Sequence, residues 1–202
     1  MHEDLRGVSE HMKELGLAAL AHAIQHTVFF NYTNSFWGDL AILQAAHACE
    51  ILIKACIAKE HPLLIFDQLP KSTKVNDQLL DLRALVESGK TIQYQELPER
   101  LWATTGYRIK NVELYREFGK LRNGIQHFAS PYDRTYLSDR NLEFIFGVID
   151  PLINDFWGLY AVDFHEEDKN EPIFNYLIQN KVTFFFPDEY KQDIETLKQN
   201  PL

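Results

Sequence analysis

Arg122, Asn123 and His127 fall within six consecutive residues, Arg122-Asn123-Gly124-Ile125-Gln126-His127, in a stretch with helical character. Imidazole can take up or release a proton near neutral pH. Guanidinium can grip a phosphate through two parallel hydrogen bonds. The asparagine amide can orient either group. Together the three supply what is needed to cut RNA without a metal, with Arg122, Asn123 and His127 as the candidate catalytic residues. An arginine and a histidine five positions apart are common by chance, so the helix carrying them must supply further reason.

Spacing residues at 100° divides that helix, expected from Lys110 to about Phe128, into three faces. Leu114, Phe118, Leu121, Ile125 and Phe128 make an apolar stripe, expected to face the core. Lys110, Glu113, Glu117, Lys120 and Gly124 make a charged face suited to water. The remaining arc holds Val112, Tyr115, Arg116, Gly119, Arg122, Asn123, Gln126 and His127. A mid-helix glycine costs about 1 kcal/mol relative to alanine, so Gly119 calls for close approach of another helix. Arg116, Lys120 and Gln126 are candidates for holding the flanking strand, and Tyr115 and Gly119 for contact with a second copy of the chain.

The elements around it read as an all-α bundle. Leu5 to about Thr27 has helical periodicity and ends near Asn31-Tyr32-Thr33-Asn34. A second helix, capped by Asn34 or Ser35 and stopped by Pro62, is apolar around most of its circumference and is expected at the centre. Leu63 to Lys74 reads as a loop, Asp77 to Glu87 as a third helix, and Gln95 to Thr104 as a short one with Pro98 in its first turn. Ser138 is expected to cap a long helix to about Tyr160, kinked at Pro151. Val182 to Phe186 has strand propensity. The division expected is a bundle over residues 1–162 and a C-terminal accessory tail over 163–202, packed on or beside it.

The chain has 202 residues, 46% apolar and 24% charged, length enough for a real core and no apolar run long enough to span a membrane. The start, Met1-His2-Glu3-Asp4-Leu5-Arg6, has neither a basic n-region nor an apolar h-region. Cys49 and Cys56 lie seven apart, roughly 10 Å along one predicted helix, too far for a disulfide. They read as buried thiols in a reducing cytoplasm. His22 and His26 are four apart on an apolar helix with no third ligand, so they read as structural; no metal site and no cofactor are expected.

The net charge of −9 opposes general affinity for nucleic acid. Its distribution is uneven. Between Arg100 and Arg140 stand eight basic and four acidic residues, a local +4 that leaves −13 on the rest of the chain. A basic zone centred on the motif fits a site that holds a few phosphates rather than a long duplex.

The stretch from Phe118 to Phe128 resembles the R-N-x-x-x-H motif of HEPN domains, small all-helical modules common among prokaryotic RNA-cleaving toxins and anti-phage systems. A second feature lies in Ala48-Cys49-Glu50-Ile51-Leu52-Ile53-Lys54-Ala55, which is similar to the E-x-x-x-K-A pattern often seen on the second helix of that family. Glu50 and Lys54 also stand in the favourable order for an i,i+4 ion pair, and His47 lies on the same stripe. The resemblance covers about residues 5 to 160.

That resemblance implies an endoribonuclease that works without metal and leaves a cyclic phosphate, acting as a toxin or in antiviral defence. It implies a homodimer whose motif helices face one another across a two-fold axis, with Glu50, Lys54 and His47 in supporting places. Unpaired or loop RNA is the implied substrate, and a cognate antitoxin or defence protein a possible partner. Toxins regulated by nucleotidyltransferase antitoxins carry a tyrosine two residues after the motif histidine. Ala129 stands there, which speaks against that route. The alternative is a non-catalytic HEPN module, an adaptor or nucleotide-binding or RNA-binding unit that keeps the fold.

Overall fold

The structure is a computed structural model that describes residues 1–29, 31, 33–71 and 79–199. Helix dominates it, as the all-α expectation requires. It divides into two compact units: residues 1–16 with 50–108, and residues 17–49 with 109–202. The residues beyond Asp163 group with the motif helix in the second unit.

Two long helices, α1 (Val8–Val28) and α2 (Trp37–Glu60), contribute to both units. Helix α2 is apolar on nearly every side, and Ile42, Leu52, Ile53 and Ile57 are fully buried along it. By length and composition α2 could cross a membrane, contrary to the sequence reading, but 72% of its apolar window is buried inside the structure.

The first unit adds β1 (Phe66–Gln68), α3 (Leu82–Ser88), β2 (Lys90–Thr91) and α4 (Leu97–Thr105). Gly16 permits α1 to approach α2, since a Cβ there would lie 2.7 Å from the Leu52 side chain. The segment read as a loop after Leu63 contains β1, paired antiparallel with β2 through Phe66 opposite Thr91. Two such short strands carry almost no periodic signal. Helix α3 begins later than Asp77, after Asp81, whose carboxylate accepts the Ala84 N–H at 2.7 Å; residues 72–78, and with them the expected start at Asp77, lie outside the described residues. Pro98 sits in the first turn of α4, as expected.

The second unit adds α5 (Val112–His127), α6 (Arg134–Phe144), α7 (Asp150–Trp157), α8 (Glu171–Gln179) and α9 (Lys191–Gln199). The expected single helix from Ser138 to Tyr160 differs in two ways. Its cap is Asp133, which accepts the Tyr136 N–H at 2.9 Å, while Ser138 lies one turn inside and bonds the Thr27 carbonyl and the Tyr176 hydroxyl. A π-helical turn, Ile145–Ile149, separates α6 from α7. Pro151 lacks an N–H and its ring crowds the preceding turn, so widening just before it relieves the conflict that a kink would otherwise absorb.

Val182 to Phe186 forms no strand, because no neighbouring strand offers it a ladder. Its rings pack instead: Phe184 lies 6.1 Å from Phe146 and 6.2 Å from Phe174. The Phe185 N–H donates to Asp150 Oδ2 at 2.9 Å, and the Ala161 N–H to Asp150 Oδ1 at 2.8 Å. Ile173, Phe174, Leu177 and Ile194 are buried, so α8 and α9 contribute to this unit's core.

Candidate functional site

Helix α5 begins at Asn111, whose side chain accepts the Leu114 N–H at 3.2 Å, a cap worth about 1 kcal/mol. Its inward face is as the spacing predicts at the start. Leu114 and Phe118 are buried, and the Phe118 ring stacks on Phe144 at 3.7 Å, nearly parallel. The stripe then rises out of the core: Leu121 and Ile125 are half-buried and Phe128 is 95% exposed. The helix ends at His127, where the Phe128 and Ala129 N–H groups both donate to the Gly124 carbonyl. Phe128 therefore has no helical direction to inherit, and projecting the wheel onto it fails.

The third arc splits along its length. Tyr115 is 0% exposed, with its ring 6.4 Å from Phe144, and Gly119 is buried. Both are covered by their own chain. Gly119 is close-packed as a mid-helix glycine should be, but by this chain's own atoms. The last two turns are different. Arg122 is half-buried, while Asn123, Gln126 and His127 are exposed, as are Arg116 and Lys120 on the neighbouring surface.

Within that open end the Arg122 guanidinium donates to Asn123 Oδ1 at 2.9 Å. Asn123 thereby orients the arginine rather than the histidine. Among the described residues no side chain hydrogen-bonds the His127 imidazole, which faces water and is free to meet a ligand. Arg122 and His127 are separated by about 7.5 Å along the helix axis, and Asn123 and His127 are neighbours one turn apart. Arg116 leans toward Glu113 at 3.9 Å, an exposed pairing of little strength.

The three supporting residues behave as a sequence pair would suggest and no more. Lys54 Nζ meets Glu50 Oε1 at 2.7 Å and Thr91 Oγ1 at 3.3 Å, a shielded ion pair that ties α2 to β2 within the first unit. Arg122 and His127 belong to the second unit. His47 is exposed on α2.

The other histidines have separate duties. His22 pairs with Glu166 at 2.6 Å. His26 packs its ring 4.0 Å from that of Trp37, whose Nε1–H donates to the Phe29 carbonyl at 2.8 Å. Burial, then the nearby His22, lower the His26 pKa from its ordinary value, against a smaller opposing pull from Glu166. Among the described residues no group of three or more His, Cys, Asp or Glu is placed to hold a metal.

One feature of the surface was not read from the sequence. Tyr132 and Tyr136 stack at 4.3 Å and 19°, and the Arg140 guanidinium lies over Tyr136 at 5.6 Å. Their spacing of four residues was the available signal. A groove of about 920 Å³ in the same unit takes its lining from the charged face of α5, with Glu113 and Glu117, and from Asp139 and Glu143. Arg122, Asn123, Gln126 and His127 take no part in it. Comparison with protein-family models, curated proteins and solved structures finds no match.

Proposed function

We propose that the chain is a HEPN-like, metal-independent endoribonuclease, acting as a toxin or defence effector on unpaired RNA. The observation that carries the reading is the exposed end of α5, where Asn123 holds Arg122 and an uncommitted His127 stands one turn beyond Asn123. The basic zone around the motif and the resemblance of Arg122-Asn123-x-x-x-His127 support it.

In the reaction a ribose 2′-oxygen attacks the adjacent phosphorus and the bond to the 5′-oxygen breaks, leaving a 2′,3′-cyclic phosphate and a 5′-hydroxyl. One imidazole takes the 2′-hydroxyl proton and another gives a proton to the leaving oxygen. Arg122 stabilises charge gathering on the non-bridging oxygens, a contribution of a few kcal/mol. In-line attack needs a backbone free to turn, which favours unpaired RNA.

A single chain supplies one His127, so the proposal includes a homodimer that brings two motif ends together. With Tyr115 and Gly119 buried, the contact must lie further along, and the exposed phenyl of Phe128 beside His127 is its natural apolar centre.

The test is incubation of purified protein with tRNA and mRNA in EDTA, alongside His127→Ala and Arg122→Ala. The wild type should cleave to products ending in cyclic phosphate. Each variant should lose activity at least about 100-fold with an unchanged helical circular-dichroism spectrum. Full cleavage by both folded variants would remove the reaction from this site.

The second reading, an adaptor built on the same fold, draws on the groove of the same unit, lined by four carboxylates with Arg140 and Lys181, which excludes the motif end. It predicts no cleavage by wild type and loss of a protein partner when Glu113 and Glu117 are reversed in charge.

A further inference from the structure

We propose that Tyr132, Tyr136 and Arg140 form a base-stacking platform that holds an unpaired stretch of RNA leading to His127. The inference rests on the reading of α5 as an RNA-cleaving end, and it adds the part of the substrate that is recognised.

Three observations carry it. The two tyrosines are 46% and 39% exposed although large and aromatic, and their rings are already parallel at 4.3 Å. A single exposed aromatic needs no account, but a stacked pair on the surface leaves flat apolar area in water. Arg140 adds a cation, its guanidinium 5.6 Å from the Tyr136 ring centre while Glu143 holds it at 2.9 Å. Tyr136 and Arg140 lie one turn apart on α6, and Tyr132, just before the cap Asp133, lays its ring on Tyr136, so the three make a ladder at the start of the helix.

Position and charge identify the occupant. Tyr132 stands five positions after His127, a chain span of at most about 18 Å, so a strand on the ladder is within a few nucleotides of the imidazole. Helices α5 and α6 pack together within one unit, which fixes the ladder relative to the motif helix. The ladder lies inside the segment that carries the local excess of positive charge. A planar aromatic surface with adjoining guanidinium groups suits bases whose faces are open, since every base has a π-face and stacking is tolerant of sequence. A duplex keeps those faces covered.

The experiment measures anisotropy of a fluorescein-labelled, non-cleavable 2′-O-methyl U12 strand, with a 12-base-pair RNA duplex as comparison, and cleavage kinetics in parallel. Wild type should prefer the single strand. The double variant Tyr132→Ala/Tyr136→Ala should weaken strand binding about tenfold or more and raise KM with kcat largely kept. Tyr132→Phe/Tyr136→Phe keeps the rings and should stay within about twofold of wild type. Unchanged strand binding and KM in the double alanine variant, or no strand binding by wild type, overturns the platform. The two readings fail separately. Cleavage that depends on His127 but not on the tyrosines leaves the ribonuclease and removes the platform. Strand binding that depends on the tyrosines without any cleavage leaves the platform and removes the ribonuclease.

Discussion

The guanidinium of Arg122 donates to the side-chain oxygen of Asn123 at 2.9 Å, a bond between sequence neighbours whose directions on the helix differ by about 100°. It restrains the arginine head, which would otherwise sample many rotamers. Adjacency in the sequence thus matters to the local structure, because the amide sits where it can restrain the cation.

From this relationship Asn123→Ala should keep the fold and lower cleavage about tenfold through a freer Arg122, less than the loss in His127→Ala. Arg122→Lys should not restore activity, since an ammonium cannot offer the two-pronged contact. Steady-state kinetics on the three variants decide this. Equal losses in Asn123→Ala and His127→Ala would give the asparagine a direct part in the chemistry.

Gly119 sits buried on α5, so a bulky replacement meets the chain's own packing. Gly119→Phe should destabilise the protein by at least about 1–3 kcal/mol, seen as a lower urea midpoint. Monomer formation should instead follow Phe128→Asp, which leaves the melting curve unchanged while light scattering reports half the mass. A stable, folded Gly119→Phe monomer would contradict the burial found here.

Asp150 offers a pH signature. Burial pushes its carboxyl up from 3.8 to about 6, outweighing the two backbone N–H donors that favour the ionised form. The native state thus binds more protons than the unfolded chain between those values, and stability contributed by this group falls as pH rises through them. Two units correspond to at most about 3 kcal/mol. Asp150→Asn should lower stability at pH 5, where it loses an acceptor for one N–H, and should show a smaller decline between pH 5 and 7 than wild type. Urea unfolding at both values measures the difference. An identical decline in both proteins would exclude Asp150 as its source.

Cys49 and Cys56 are joined in no disulfide and are buried, and burial raises the Cys56 thiol far above the ordinary cysteine range. A thiol reagent should label neither in the native protein and both after unfolding, because the reactive species is the thiolate. Rapid native labelling would show that α2 opens.

What the sequence conveyed follows from how each element is held. Helix α2 was legible because an element buried all round must be apolar all round, and α5 because its amphipathic pattern is set by Leu114 and Phe118. Ser138 and Asp133 are equally good capping types five residues apart. Only the Thr27 carbonyl and Tyr176 hydroxyl, both distant in sequence, draw the serine inside. Val182 to Phe186 has residues that favour strands, but propensity cannot supply a partner strand, and Asp150 takes the Phe185 N–H instead. At the site, the residue types were legible and their commitments were not. No spacing rule says that Asn123 turns to Arg122, or that Tyr115 and Gly119 are covered while Phe128 is bare.

The contact between His26 and Trp37 gives the molecule an optical readout. An imidazolium against an indole quenches its emission and a neutral imidazole does so far less. With the rings 4.0 Å apart and the indole N–H anchored to the Phe29 carbonyl, Trp37 reports the charge on one histidine. Since burial lowers the His26 pKa, the dimming on acidification comes below the ordinary histidine value of 6.5, and His26→Gln flattens it. The part of the three-tryptophan emission that His26→Gln alters thereby follows the packing of α1 against the start of α2 without any label.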